Sequence, residues 1–208
     1  MILAEPDVAL TDLGLALESG AFAVILDRTR PVGRPFTLFF AATATASVLG
    51  GAVHGFFPDP ASPASHALWR AALLAIGVAA LGACAAAAHL GLRERVARGV
   101  VRIAMLELAV YAAIVLSGDR PFAVAVCEYL PAALFLLAVL IARFARRREG
   151  AVLVGAAGLG LTFVASGLQQ AGVGLHPRWF NHNALYHLLE GIALAMLYWC
   201  ARALDRRT

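Results

Sequence analysis

The sequence contains no lysine: all 17 of its basic side chains are arginine. Only 14% of its residues are charged, against 61% that are hydrophobic, so a soluble domain of this size could not hide its apolar surface from water. Cysteine is scarce too. Its three copies, Cys84, Cys127 and Cys200, sit inside apolar stretches without paired spacing, which excludes a disulfide framework and a cysteine-based metal motif. The apolar stretches do not alternate with polar residues, which excludes a membrane β-barrel. A basic leader is missing as well. The first apolar run ends in arginines instead of a small-residue cleavage site, so it is expected to be a retained helix.

What is present is hydrophobic length. A mean hydropathy of +0.78 is gathered into seven runs: Ala9 to Leu26, Phe36 to Phe57, Ala67 to Leu92, Val100 to Ser117, Phe122 to Ile141, Val152 to Leu168 and Ala184 to Ala203. Each is near the ~20 residues that cross hydrocarbon as a helix. The expected fold class is all-α: an integral membrane bundle of seven transmembrane helices forming a single domain over residues 1–208, with the lipid bilayer as its solvent.

Arginine sets the expected orientation. Fourteen flank one side of the runs (Arg28, Arg30 and Arg34; Arg93, Arg95, Arg98 and Arg102; Arg143 and Arg146 to Arg148; Arg202, Arg206 and Arg207), whereas Arg70, Arg120 and Arg178 flank the other. The positive-inside rule then puts the N-terminus outside and the C-terminus in the cytoplasm, which needs an odd number of spans. The expected location is a bacterial inner (plasma) membrane. This topology also accounts for the pI of 9.4 without a nucleic-acid partner.

Against so apolar a background, ionisable residues inside a run are costly and point to function. Asp12, in the first two turns of run one, reads as an interfacial carboxylate favoured by the helix dipole, and Glu18 as an inward-facing polar contact. In run two, Gly50, Gly51 and Gly55 allow another helix close to the backbone around His54, and Pro58-Asp59-Pro60 stops the helix about one turn, ~5 Å, beyond that histidine. Run three carries no carboxylate and reads as packing material. Glu107 and Glu128 in runs four and five are candidates to line a polar cavity, with Pro121 as the first helical residue of run five. Gly155-Ala-Ala-Gly-Leu-Gly160 lacks the strand and lysine of a phosphate loop and reads as helix packing.

The densest polar group opens run seven. Asn181 is a natural N-cap, so a helix begins near His182, and Asn183, His187 and Glu190 share a face at i, i+4 and i+7. Asp12, His54, Glu128, Gln169, Asn183, His187 and Glu190 fall at similar depth, and His54 and His187 are expected to face each other. Such a layer suits zinc. Three protein ligands and an open position would leave a bound water with a pKa near 7, and Glu190 or Glu128 could take its proton or orient a histidine.

Three short stretches carry a likeness to a known group. Ala4-Glu5-Pro6 followed by Ala9-Leu10-Thr11, His54 at the end of run two, and His187-Leu188-Leu189 in run seven make the chain resemble the seven-span membrane hydrolase superfamily of alkaline ceramidases and adiponectin-type receptors, as a divergent bacterial member. The resemblance implies a zinc-dependent amidase acting on a ceramide-like membrane lipid, with His54 and His187 as ligands. Asn183 stands where that superfamily has its other zinc histidine, and His182 is one residue out of step, so the third ligand is His182, Asn183 or Glu190. The superfamily's serine falls on Gly50, leaving Ser47, a further turn away, as the hydroxyl, and its third-span aspartate has no counterpart. The expected function is hydrolysis of a lipid amide or ester by a metal-bound water in an outward-facing pocket; the alternative is a non-catalytic protein binding a lipid or small ligand at the same layer.

Overall fold

The computed structural model describes residues 3–26, 32–176 and 179–206; Arg28, Arg30, Arg178 and Arg207 of the orientation argument lie outside them. The described residues form seven helices: α1 (Pro6–Ile25), α2 (Gly33–Phe56), α3 (Pro63–Gly91), α4 (Glu94–Leu116), α5 (Ala123–Arg147), α6 (Gly150–Gln170) and α7 (His182–Asp205). Each is long and apolar enough to cross a membrane. The chain is therefore an all-α integral membrane protein of seven helices.

Helix starts follow polar punctuation. Ser62 caps α3 by accepting from the Ser65 amide at 3.0 Å, with Pro63 in the first turn, where its missing N–H costs nothing. Pro6 begins α1 in the same way. Pro121 does not begin α5. It lies in the preceding turn, its carbonyl accepting from the Val124 amide at 3.1 Å, and the helix starts two residues later.

The helices pack in the ring order α1, α2, α3, α5, α6, α7 and back to α1, while α4 packs substantially on α3 alone. In lipid no hydrophobic force distinguishes a neighbouring helix from an acyl chain, so association rests on close fit. Small residues provide it. A Cβ at Gly82 of α3 would stand 2.7 Å from the Phe39 amide nitrogen of α2, and one at Gly158 of α6 would stand 2.7 Å from the Ala193 carbonyl of α7. The centre of the ring is filled by Phe36, Phe39 and Phe40 with alanines of α3 and leucines of α5 and α7. Phe22 of α1 stacks on Tyr198 of α7 at 4.1 Å between ring centroids, fixing α1 against α7.

Candidate functional site

The polar residues gather where α7 begins. The Asn181 side chain accepts from the amides of Asn183 (2.9 Å) and Ala184 (3.1 Å), satisfying two of the donors a helix start leaves free. The Asn181 amide in turn donates to the Asp7 carboxylate at 3.1 Å, and Gln169 of α6 donates to the Asn183 side chain at 3.0 Å. The first turn of α7 is thereby tied to α1 on one side and to α6 on the other.

Those two neighbours divide the polar face of α7. At 3.6 residues per turn, Asn183 and Glu190 lie about 20° apart around the axis, and His187 about 60° from Glu190. That small arc is enough to send them to different helices. Asn183 and Glu190 turn to α6, where Glu190 meets the Thr162 hydroxyl and keeps its second oxygen, Oε2, buried without a hydrogen-bond partner among the described residues. Tyr186 reaches Ser166 on the same side, and Tyr129 of α5 lies close to Glu190. His187 instead turns to α1.

On α1, Thr11 Oγ1 lies 3.1 Å from His187 Nδ1, and Asp12 Oδ1 lies 3.4 Å from Nε2. The Thr11 hydroxyl approaches the carbonyls of Asp7 (2.8 Å) and Val8 (3.0 Å) and donates its one proton there. Its oxygen then accepts from Nδ1–H, leaving Nε2 facing the Asp12 carboxyl at ion-pair distance. Asp12 is not an interfacial carboxylate in contact with water: it is 5% exposed. The glycine pair of α2 makes the room. A Cβ at Gly50 would approach Asp12 Oδ2 to 3.3 Å, and one at Gly51 would approach Asp12 Cβ to 3.1 Å. The helix that the glycines of run two admit is thus α1.

His54 and His187, expected to face each other, lie near one another but take different partners. α2 and α7 touch only marginally, because α1 lies between them, although the two imidazoles remain within electrostatic range. His54 Nδ1 is 3.1 Å from Glu5 Oε2, and His54 lines a cavity of about 440 Å³ with His66, Trp69 and Asp119. Asp119, in the α4–α5 connection, is 2.8 Å from Arg70 and 3.0 Å from His66, and the Arg70 hydrogen bond above all holds its carboxyl below its ordinary pKa. His187 lines a different cavity. That one is a groove of about 740 Å³ between α1 and α7, walled by Thr11, Gly14, Leu15 and Glu18 on one side and by His187, Gly191, Ala195 and Trp199 on the other. Exposed Leu10, Leu188, Ile192 and Trp199 border it, so it opens on the flank that faces lipid.

The remaining expected residues are dispersed. His182 is the first residue of α7 and Ser47 is buried in α2, about two turns from His54. Glu128 of α5 is partly buried and has Glu107 of α4 as its charged neighbour. A zinc site would bring three such donors to about 2.0–2.2 Å from one ion. Among the described residues, no three His, Cys, Asp or Glu side chains come together in a group that could hold one. Both nitrogens of His187 face protein partners, whereas His54 has Nδ1 on Glu5 and Nε2 uncommitted among the described residues, so as arranged the donors do not supply the three ligands such a site needs. The residues that sequence reasoning undervalued are Asp7, Thr11 and Asp12; adjacent polar residues on the first apolar run were the available signal.

The chain belongs to the family of unknown function DUF6962, which it matches over residues 8–206. No curated protein and no solved structure matches it.

Proposed function

We propose that this member of the family is an amphiphile-binding protein of a bacterial plasma membrane, oriented with its N-terminus outside, that holds the chain of a lipid in the α1–α7 groove and its polar group at Thr11 and His187. The observation that carries this reading is the shape and chemistry of the groove together. From His187 to Trp199 it runs twelve residues of α7, about 18 Å, which suits an extended acyl chain. Its walls are apolar for most of that length, with the His187 imidazole and the Thr11 hydroxyl at one end and the Asp12 carboxyl buried behind the imidazole, as ligand sites combine apolar walls with few polar anchors.

Gly14 supplies the test. Nothing lies within 4 Å of a Cβ at this position, so Gly14→Trp can fill the groove without displacing backbone. Native mass spectrometry of the protein released from nanodiscs is expected to show a retained lipid on the unsubstituted chain and its loss in Gly14→Trp. Equal lipid retention by both would refute the reading.

Hydrolysis of the bound lipid is supported by one feature, the imidazole of His187 held by a buried carboxyl at the polar end of the groove. Once Nε2 parts from Asp12, that nitrogen could take a proton from a water attacking the lipid carbonyl and return it to the departing amine or alcohol, while Nδ1–H stays on Thr11. Turnover of a ceramide or ester lipid by the purified protein, abolished in His187→Ala, is the result this second reading requires.

A further inference from the structure

The groove contains a second polar point that a plain acyl chain would leave unmatched. Glu18 lies seven residues beyond Thr11 on α1, two turns or about 10.5 Å deeper and within about 20° of the same face. It lines the groove half-buried and makes no hydrogen bond or ion pair with any described residue. The opposite wall is cut back to receive it: a Cβ at Gly191 of α7 would stand 3.0 Å from Glu18 Oε2. A carboxyl in the middle of a hydrocarbon-facing groove is expensive unless something there hydrogen-bonds to it. Gly14 and Leu15, between the two polar points, offer no polar side chain, so a ligand that displaces water from the groove has to bring the partner itself.

We infer that the groove selects an amphiphile with a mid-chain hydroxyl, its head at Thr11 and His187 and the hydroxyl at Glu18. The inference rests on the proposed occupancy of this groove and adds the class of chain that fills it. A hydroxyl serves where an ammonium would not, since it can donate to a carboxylate or accept from a carboxylic acid and so satisfies Glu18 in either state. An unsubstituted chain would desolvate the carboxyl without compensation, which costs about as much as a lost hydrogen bond, or roughly tenfold in affinity.

The experiment compares stearic acid with a hydroxystearic acid bearing its hydroxyl at mid-chain, binding to the full-length protein in nanodiscs. The hydroxylated chain is expected to bind about tenfold more tightly. Glu18→Leu should bring the two affinities together while stearic acid still binds, and Glu18→Gln, which retains an acceptor and a donor, should keep most of the preference. Equal affinities in the unsubstituted protein, or a preference unchanged in Glu18→Leu, would overturn the inference and leave the groove reading standing. Binding of neither acid by the unsubstituted protein would overturn both.

Discussion

Replacing Asp12 with alanine removes the carboxyl that α1 presents to His187 and strands an imidazole that is only 12% exposed. A buried polar group left without its partner costs about 1–3 kcal/mol, and the 3.4 Å separation is an ion-pair contact longer than an ordinary hydrogen bond, so a value toward the lower half of that range, about 1–2 kcal/mol, is expected for Asp12→Ala. His187→Ala should cost a similar amount, since it strands Asp12 against Gly50 and Gly51 and also frees Thr11. The informative quantity is the coupling. Side-chain hydrogen bonds between membrane helices average about 0.6 kcal/mol in double-mutant cycles and reach about 1.7, and a pair this buried should fall near 1 kcal/mol. Equilibrium unfolding in mixed micelles of the two single variants and the double variant measures it. Additivity within about 0.3 kcal/mol would refute the claim that Asp12 and His187 bind α1 to α7.

Helix contacts make a paired prediction: Gly82→Ala, whose Cβ meets the Phe39 backbone at 2.7 Å, should cost about 1–3 kcal/mol in the same unfolding assay, whereas Gly160→Ala, with nothing within 4 Å, should be neutral or stabilising. At the α4–α5 connection, Asp119 is held below its ordinary pKa of 3.8, so its link to Arg70 is present above that value and lost as pH falls through the depressed one. Protection of the connection against hydrogen exchange, relative to the intrinsic rate at each pH, should therefore fall on strong acidification, and Arg70→Ala should weaken that acid response, with His66 carrying what remains. Metal analysis of the purified protein should find no stoichiometric zinc that depends on His54 or His187; zinc lost in His54→Ala and in His187→Ala would restore the metal-dependent amidase.

The seven helices were legible because hydrocarbon imposes a length, and each apolar run became a helix that begins two to six residues before it or one after. Asn181 was legible as a cap because side-chain capping is local. The site was half legible. His187, Asn183 and Glu190 stood out as polar residues in an apolar run, but a sequence gives the azimuth of a side chain and not the neighbour waiting there. An arc of about 60° decided whether α1 or α6 received it. Asp12 was underread for the same reason: its depth suits an interfacial carboxylate, and only the approach of α1 to Gly50 and Gly51 buries it. Glu128, expected at the depth of the His187 group, has Glu107 of α4 as its charged neighbour instead. Glycines legible as contact points did not name their partners, which is why His54 was matched to α7 and not to Glu5.

Photolabelling addresses the central claim most directly. A membrane lipid with a diazirine in its acyl chain, irradiated with the protein in nanodiscs and mapped by peptide mass spectrometry, should place its adducts on Leu15, Gly191, Ile192 and Met196 along the groove, and Gly14→Trp should remove them. Adducts spread evenly over lipid-facing surfaces such as Ile103, Leu106 and Val110 of α4, and unchanged in Gly14→Trp, would contradict a bound lipid between α1 and α7.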